Sequence, residues 1–519
     1  MIAASKFRRY AGVVVVLAVM AVVAAVRWRL AGIPLERDEG EYAYVGQLIL
    51  RGLPPYAFAY NMKFGLLVLN AATTFVVFLL GRTLLGGLAG AVGATTFALL
   101  SLDRWIMGVF AHATHFVLLP TLAGFLVLVR AIETRRARRL VIAGGLLGLA
   151  VLMKQAAIFF IPLAFGLLRW HERDQLRGRW RPVLVRSGLL ATGMVIPLAI
   201  IVTAFVAQGV FGTFWFWTFQ YATEYVVQVP LAEVGGRLAD AWQDITQATR
   251  PIWVAGVVGL LGLWLGRWPS AVRMFLTGLL VASCLAVCAG FHFRQHYFIL
   301  LLPVVALLVG VGVASIERVL RRVASSGTAR ALALLGFVGL VGSYAVQEQG
   351  YLLSMTAQDL IRSRYGTNPF LEAVDIARYL REHTTTDDRI AVLGSEPEIF
   401  FYANRRSASG HIYTYALMEP QRYAARMQDE MIREVEAVHP KYFVAVMVLT
   451  SWVPRPESDR RILTWIDEYT ARCDDLVGVA DSMTGAMAWD REAEGYSPRA
   501  NHAVYTFRRK SEEPCQVGR

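Results

Sequence analysis

Residues 11–41 have the sequence AGVVVVLAVMAVVAAVRWRLAGIPLERDEGE, an apolar stretch followed by an acidic loop. The apolar part, Ala11 to Val26, is close to the length of a membrane-spanning helix, and three basic residues precede it. Because further apolar segments follow and no small-residue cleavage site does, we expect an uncleaved first transmembrane helix rather than a signal peptide. The basic flank predicts that its amino end faces the cytoplasm.

Ten further apolar segments follow the first one. They lie at 65–81, 83–101, 114–130, 140–153, 156–168, 187–206, 251–266, 274–290, 298–315 and 329–345. Eleven crossings that start inside end outside, so every second loop should be the basic one. The predicted inward loops hold 21 basic and 4 acidic residues, whereas the outward loops hold 10 of each. This bias predicts a multi-pass cytoplasmic (inner) membrane protein whose C-terminal region is extracytoplasmic.

Composition agrees with a membrane protein, because 56% of the 519 residues are hydrophobic and 18% are charged. Such a composition excludes a single soluble globule. The net charge of +13 would suggest nucleic acid on a soluble protein. Residues 350–519 hold 21 basic and 25 acidic residues, so the excess lies in the short inward loops. We therefore expect membrane lipid as a partner and no nucleic acid.

The last third of the chain has a different pattern. Helix-like segments alternate there with strand-like ones such as RIAVLG at 389–394 and KYFVAVMV at 441–448, which is typical of an α/β domain. The fold class predicted is thus a mainly α polytopic membrane protein of about eleven transmembrane helices with a C-terminal soluble α/β domain. The predicted domains are 1–345 for the transmembrane part with its outer loop 31–64, 346–367 for a linker, and 368–519 for the extracytoplasmic domain.

Four carboxylates, those of Glu36, Asp38, Glu39 and Glu41, fall within six residues just beyond the first span. One interpretation is a solvated outer loop. The other is a catalytic site, because sugar transfer requires a general base to deprotonate the acceptor hydroxyl while the glycosidic carbon develops oxocarbenium character.

Three stretches together resemble a known group of enzymes. They are DEGEYAYVGQLILRG at 38–52 followed by PPYAFAYNMK, RQHYFILLLP at 294–303, and GSEPEIFFYANRRSASGHIYTY at 394–415. The chain resembles the GT-C superfamily of membrane glycosyltransferases, and most closely its protein O-mannosyltransferase-like and aminoarabinose-transferase-like branch, called glycosyltransferase family 39-like. The resemblance extends over nearly the whole chain, and its most specific part is the acidic loop.

The resemblance implies a glycosyltransferase that moves a hexosyl or pentosyl group from a polyprenyl-phosphate-linked donor to a lipid, glycan or protein acceptor on the outer face. It implies that Asp38 is the catalytic base, with Glu39 beside it. Lys63 resembles the family lysine that meets the donor phosphate; an interfacial lysine is the alternative. The chain contains no P-loop or dinucleotide fingerprint, which agrees with a lipid-linked donor.

Further substrate-binding candidates are basic or aromatic residues on the same predicted face. Lys154 occupies a turn between two short apolar segments, where a cation is costly unless it reaches water or an anion. Arg294, His296 and Tyr297 belong to an aromatic outer loop, where a basic side chain can hold the leaving phosphate. Ordinary interfacial residues are the alternative for this loop.

Histidines raise the question of a metal cofactor. His112 and His115 are spaced i, i+3 and fall on one helical face, and His296 is a further weak candidate ligand. Hydrogen-bonded interfacial histidines are the alternative, so a divalent metal is left open. Cys473 and Cys515 can pair if the tail is exported, and the sequence leaves this open too.

Two features keep other functions open. The next span follows Phe64 directly, without the juxtamembrane helix of the family pattern, and Met62 stands where some relatives have a metal-binding glutamate. The alternatives are a degenerate inactive member, or a non-catalytic membrane transporter or glycan-binding scaffold. A transporter typically has charges near the bilayer midplane and internal repeats, and neither pattern is visible here.

Overall fold

The protein is described here from a computed structural model, in which residues 2–53, 62–172, 180–499, 502–511 and 515 are described. The chain divides into two compact units. The membrane unit comprises Met1–Ala31 and Lys63–Met355, and the sheet unit comprises Gly32–Met62 and Thr356–Arg519.

The described part of the membrane unit is helical almost throughout, and helices are numbered along the whole chain. Its α-helices are α1 (Ile2–Arg29), α3 (Met62–Leu85), α4 (Gly87–Leu100), α5 (Ala113–Thr134), α6 (Ala137–Met153), α7 (Ile161–Glu172), α8 (Trp180–Ala207), α9 (Phe211–Trp215), α10 (Ala222–Val226), α11 (Leu231–Thr246), α12 (Arg250–Leu265), α13 (Ser270–Cys288), α14 (Leu302–Leu320), α15 (Ser326–Gln347) and α16 (Gln349–Leu353). Short 3₁₀ segments occupy Gln155–Phe160, Ala289–Phe291 and Gln295–Leu301, and a π-helical turn occupies Phe216–Tyr221.

All eleven predicted apolar segments are helical, which confirms the mainly α polytopic class. Among the described residues, seven helices are long and apolar enough to cross a membrane, or eight if α11 and α12, bent by 106°, form one span. The count is lower than eleven because segments such as α4, with 14 residues, are shorter than a bilayer requires. The chain is a multi-pass membrane protein.

Small residues allow the central helices of the membrane unit to pack closely. The Cα atom of Gly90 lies 2.8 Å from where a Cβ on Gly81 would stand, so α3 and α4 touch backbone to backbone. A Cβ on Gly310 of α14 would likewise meet the carbonyl oxygen of Ala89 at 2.3 Å. Close approach of this kind supplies the van der Waals packing that holds helices together in lipid.

The sheet unit contains one six-stranded sheet with helices around it. Its helices are α2 (Arg37–Leu50), α17 (Ala357–Tyr365), α18 (Glu372–His383), α19 (Glu398–Ala403), α20 (Tyr415–Met418), α21 (Ala424–Val438), α22 (Leu449–Trp452), α23 (Arg461–Cys473) and α24 (Arg491–Glu494). Its strands are β1 (Arg389–Leu393), β2 (Arg406–Ser407), β3 (Tyr442–Met447), β4 (Asp474–Asp481), β5 (Ala486–Trp489) and β6 (Ala503–Arg509). The predicted C-terminal α/β domain is therefore present.

The strand order is β2-β1-β3-β6-β4-β5, with β1 parallel to both β2 and β3 and the remaining pairs antiparallel. Both central parallel strands are buried along nearly their whole length, as their continuous apolar sequences require. The carboxyl ends of β1 and β3 lie at one end of the sheet, and their amino ends lie at the other.

The two units do not coincide with the predicted domains. Residues Gly32–Met62 group with the sheet unit, whereas the prediction assigned loop 31–64 to the transmembrane domain. The cause is α2, which packs on the sheet unit through Tyr44: its ring lies 5.1 Å from that of Phe400, and its hydroxyl accepts a hydrogen bond from the Ser407 amide at 2.8 Å. The predicted linker 346–367 contains the helices α16 and α17.

A disulfide joins Cys473, the last residue of α23, to Cys515 in the tail. The backbone amide of Lys510 donates to the Cys473 carbonyl at 3.0 Å, so the end of β6 is fixed to the same point. Cys284 and Cys288 of the membrane unit are free thiols.

Candidate active site

The acidic motif begins helix α2 of the sheet unit. Glu36 is the N-cap, and its carboxylate accepts from the Glu39 amide at 3.0 Å, while Glu39 accepts from the Glu36 amide at 3.2 Å. This reciprocal capping box satisfies two amides that a helix start leaves unpaired. Two of the four carboxylates therefore have a structural role, and both are buried.

Asp38 differs from these two carboxylates because it is only partly buried. Its Oδ1 atom accepts a hydrogen bond from the hydroxyl of Tyr413 at 3.4 Å. Glu41 lies one turn further along α2, and burial together with the charge of Asp38 raises the pKa of Glu41 to about 7. Asp38 is thus a partly accessible carboxylate beside a second carboxyl group whose pKa is raised.

Arg37, the residue before Asp38, fixes the start of α2 to the rest of the sheet unit. Its guanidinium donates to the Ser395 carbonyl at 2.8 Å, the Tyr415 hydroxyl at 2.6 Å and the Asn368 Oδ1 at 2.9 Å. It also forms a buried ion pair with Glu396 at 3.1 Å. A fork of five donors that is almost fully used holds the backbone on which Asp38 stands.

The contact between α2 and α19 is close as well. A Cβ on Gly40 would stand 2.6 Å from the backbone nitrogen of Glu398, a separation that no real side chain tolerates. Only glycine lets the two helices approach this far. Burial and the neighbouring Glu396 raise the pKa of the Glu398 carboxyl well above its usual range.

In the membrane unit, several predicted residues converge. The rings of His112 and His296 stack with centroids 4.0 Å apart, and Tyr297 contacts His296 edge-on at 4.8 Å. The Lys154 Nζ atom lies 3.8 Å from the centroid of Tyr297. The N-cap of α5, the turn after α6 and the 3₁₀ segment before α14 therefore contribute to one cluster of imidazole, phenol and ammonium groups.

The backbone that carries this cluster is strained. Gly290, Phe291 and Phe293 all have positive φ angles, of 74°, 55° and 46°, directly before Arg294. A bulky residue at positive φ is an outlier that surrounding contacts must enforce, and such outliers concentrate at functional sites. Arg294 itself is exposed and interacts electrostatically with His296.

A neighbouring non-helical segment, residues 101–112, is held by Arg27 of α1. Its guanidinium donates to the carbonyls of Ser101 at 2.6 Å and Gly108 at 2.9 Å. A Cβ on Gly108 would stand 2.3 Å from the Ser101 carbonyl oxygen, so this turn requires glycine. The segment ends at His112, which is the N-cap of α5, and Arg27 thereby orders the approach to the histidines.

The donors in this cluster fit a divalent cation. The Nε2 atom of His115 is buried and has no hydrogen-bond partner among the described residues. His115 and His112 also interact electrostatically with His296. Neutral imidazole nitrogens are the commonest metal ligands in proteins, and a buried orphan nitrogen indicates an absent partner.

The structure brings together five of the predicted residues in the membrane unit: Lys154, His296, Tyr297, His112 and His115. Lys63 lies in the first turn of α3, and its side chain is outside the described residues. Sequence reasoning missed Arg37, Tyr413 and the raised pKa of Glu41. The i, i+3 spacing of Asp38 and Glu41 was a usable signal for the last of these.

No family model matches the chain, and no curated protein matches it either. Solved structures do. ArnT from Cupriavidus metallidurans bound to undecaprenyl phosphate is 15% identical, with a TM-score of 0.57 over 96% of this chain and 98% of that one. The Archaeoglobus fulgidus oligosaccharyltransferase AglB, in complex with an inhibitory peptide and a dolichol-phosphate, is 12% identical, with a TM-score of 0.54 over 95% of this chain and 75% of that one.

These similarities define the class of fold. Both proteins are GT-C fold membrane glycosyltransferases, and the match covers nearly all of this chain. The protein therefore has the GT-C fold expected from the acidic loop. A further structure of the Archaeoglobus fulgidus oligosaccharyltransferase, in complex with Zn and sulfate, has a TM-score of 0.50 and 12% identity over 93% of this chain and 74% of that one.

Proposed function

We propose that the protein is a glycosyltransferase that moves a sugar from a polyprenyl-phosphate-linked donor to an acceptor hydroxyl on the outer face of the cytoplasmic membrane. The observation that carries this proposal is the accessible carboxylate of Asp38 at the rigidly held start of α2, in a chain with the GT-C fold. ArnT was solved with undecaprenyl phosphate and AglB with a dolichol-phosphate, which supports a lipid-phosphate carrier as the donor class.

In the proposed reaction Asp38 accepts the proton of the acceptor hydroxyl as the new bond to the anomeric carbon forms and the bond from that carbon to the donor phosphate breaks. The products are the glycosylated acceptor and the polyprenyl phosphate. Glu39 acts on Asp38 indirectly, because it caps the helix that carries it. Lys154 and Arg294 are the proposed charge partners of the phosphate, with His296 and Tyr297 beside them, and Lys63 is a further candidate.

A divalent cation fits this proposal. His112 and His296 would hold it, with His115 beside them, and it would supply positive charge to stabilise a leaving phosphate. An exported sheet unit fits as well, because the Cys473–Cys515 disulfide requires an oxidising compartment. The proposed orientation therefore has the amino terminus inside and the sheet unit outside.

The test is transfer from a radiolabelled polyprenyl-phosphate sugar in membranes that contain the wild type or the Asp38→Asn variant. We expect a loss of about 10²- to 10⁴-fold in transfer rate with unchanged expression, because the amide is isosteric and cannot accept the proton. Asp375→Asn, which alters a partly exposed carboxylate of the same unit that pairs with Arg378, is the matched control and should retain full activity. Undiminished transfer by Asp38→Asn would remove Asp38 from the mechanism, and no transfer by the wild type would favour a transporter or scaffold.

A further inference from the structure

A second site lies at the opposite end of the sheet from the acidic motif. The register pairs Ile390 with Tyr442 and Tyr442 with Arg508, so the amino ends of β1 and β3 meet the carboxyl end of β6. An open cavity of about 810 Å³ lies there. Its charged lining consists of five cationic side chains, Arg389, Lys441, Arg508, Arg509 and Lys510, and two carboxylates, Asp387 and Asp388.

This positive charge does not follow from the composition of the region. Residues 350–519 contain more acidic than basic residues, 25 against 21, whereas cations outnumber carboxylates in the cavity lining. The cations come from three separate segments: the first residue of β1, the residue before β3, and the end of β6 with the residue that follows it. The fold therefore concentrates positive charge at one point of an acidic unit.

Two of the cations, Arg509 and Lys510, are oriented by backbone carbonyls, and both interact electrostatically with the carboxyl of Asp474, whose pKa burial nonetheless raises to about 7. Arg509 donates to the carbonyl of His439, and the Nζ atom of Lys510 donates to the Ala471 carbonyl at 2.9 Å. Carbonyl oxygens orient a cation without cancelling its formal charge. Within the cavity lining, Lys441 forms an ion pair with Asp388 at 3.7 Å; both groups are partly exposed, so the pair neutralises little charge.

The shape of the site indicates the size of its ligand. A volume of about 810 Å³ lies within the range of small-molecule sites, and a concave surface suits a compact ligand better than a flat bilayer surface. Arginine forks bind phosphate with two parallel hydrogen bonds, so several cations around one concavity suit a ligand with more than one phosphate. His439 also lines the cavity, and a volume of about 810 Å³ exceeds what two phosphate groups fill, so the site has room for a compact polar body such as a sugar.

We propose that this cavity is a binding site for a sugar that carries two or more phosphate groups. The site belongs to the sheet unit alone and does not depend on the proposed transferase activity. It is distinct from the Asp38 motif, because β1 and β3 separate the two ends of the sheet by five and six residues respectively, about 15–20 Å.

The test is calorimetric titration of the full-length protein in detergent with glucose 1,6-bisphosphate, with glucose and inorganic tripolyphosphate as comparison ligands. We expect the bisphosphate to bind, glucose not to bind, and the affinity to fall with added salt. The Lys441→Gln/Arg508→Gln variant should bind the bisphosphate about tenfold more weakly or worse, since it loses two charge-assisted contacts. Both side chains are exposed, so thermal unfolding should be unchanged.

The matched control is Arg378→Gln/Arg460→Gln, which removes two exposed cations of the same unit outside the cavity and should bind like the wild type. An equal loss of affinity in the control would show that binding depends only on the net charge of the unit, and it would overturn the proposal. Tripolyphosphate binding as tightly as the bisphosphate would overturn the assignment to a sugar, and binding to anionic vesicles alone would indicate a membrane contact instead. No binding of the bisphosphate to the wild type would likewise overturn the proposal.

Discussion

At one end of the six-stranded sheet the charged side chains are buried and paired, whereas at the other end they line an open cavity. At the carboxyl ends of β1 and β3, Arg37 of α2 fills the space and pairs with Glu396 in a buried network. At the amino ends, an open cavity leaves several cations facing solvent. Ligands of open α/β sheets usually bind at the carboxyl ends of the strands. Here the chain occupies that end itself, which holds Asp38 in place, and the opposite end is the free one.

The largest expected effect concerns the filled end. Arg37→Met leaves the Glu396 carboxylate buried without its counter-charge, and breaking a buried pair from one side costs about 3–5 kcal/mol. We expect this loss of stability to appear as faster hydrogen exchange in α2 and in the backbone after β1, measured by mass spectrometry on the full chain. Sugar transfer should fall with it, because the support of Asp38 is lost.

The double variant Arg37→Met/Glu396→Met tests whether the lost protection is caused by the unpaired charge of Glu396 or by the missing contacts of Arg37. Replacing both partners with apolar side chains of similar length removes the unpaired charge, so much of the lost protection should return. If the double variant exchanges as fast as Arg37→Met, the hydrogen bonds of Arg37 to Ser395 and Asn368, rather than the charge of Glu396, hold α2.

A smaller effect is expected at the open end, where the disulfide fixes the cavity wall. Cys473→Ser removes a covalent link that closes 42 residues and should lower the free energy of unfolding by about 2–4 kcal/mol. In cells, a maleimide-polymer reagent applied after denaturation should modify two cysteines of the wild type, Cys284 and Cys288, and all four only after reduction. Four modified cysteines without reductant would contradict both the disulfide and the exported orientation.

The features that could be predicted from the sequence are those with a local signal. Apolar segments long enough to form helices, and alternating segments such as 389–394 and 441–448, depend on neighbours in the chain. The resemblance carried by the acidic loop added the GT-C class. The boundary of the sheet unit had no local signal, because it depends on Arg37 meeting Glu396, 359 residues away.

The same limit applies to the sites. From the sequence, His112 and His296 look like separate interfacial histidines, and only the fold shows that their rings stack. The spacing of His112 and His115 predicted only part of this cluster. In the cavity, Arg389, Lys441 and Arg508 each occupy an ordinary strand end. They form a site because the parallel pairing of β1 with β3 aligns the starts of these strands, and the antiparallel pairing of β3 with β6 places the end of β6 beside them. Long-range pairing of this kind cannot be inferred from periodicity.

The smallest expected effect concerns Glu398, at the filled end. Its carboxyl is buried and makes no hydrogen bond to another described residue, so its ionised form is costly. Burial, followed by the charge of Glu396, raises the pKa of Glu398. Between the unfolded and the folded pKa values, the folded state therefore keeps a proton that the unfolded state has released. The resulting stability is fully present below the unfolded pKa and is lost as the pH rises through the raised value.

Glu398→Gln should therefore flatten the pH dependence of unfolding. The wild type loses stability as the pH rises through the raised pKa of Glu398, whereas the variant has no charge to bury there and should be more stable at high pH by about 1–3 kcal/mol. Thermal unfolding of the full chain over neutral to alkaline pH measures the difference, with Glu382→Gln, an exposed carboxylate, as the control. Parallel curves for wild type and Glu398→Gln would mean that the carboxyl has a partner or is hydrated, and the filled end would then be less dry than its packing indicates.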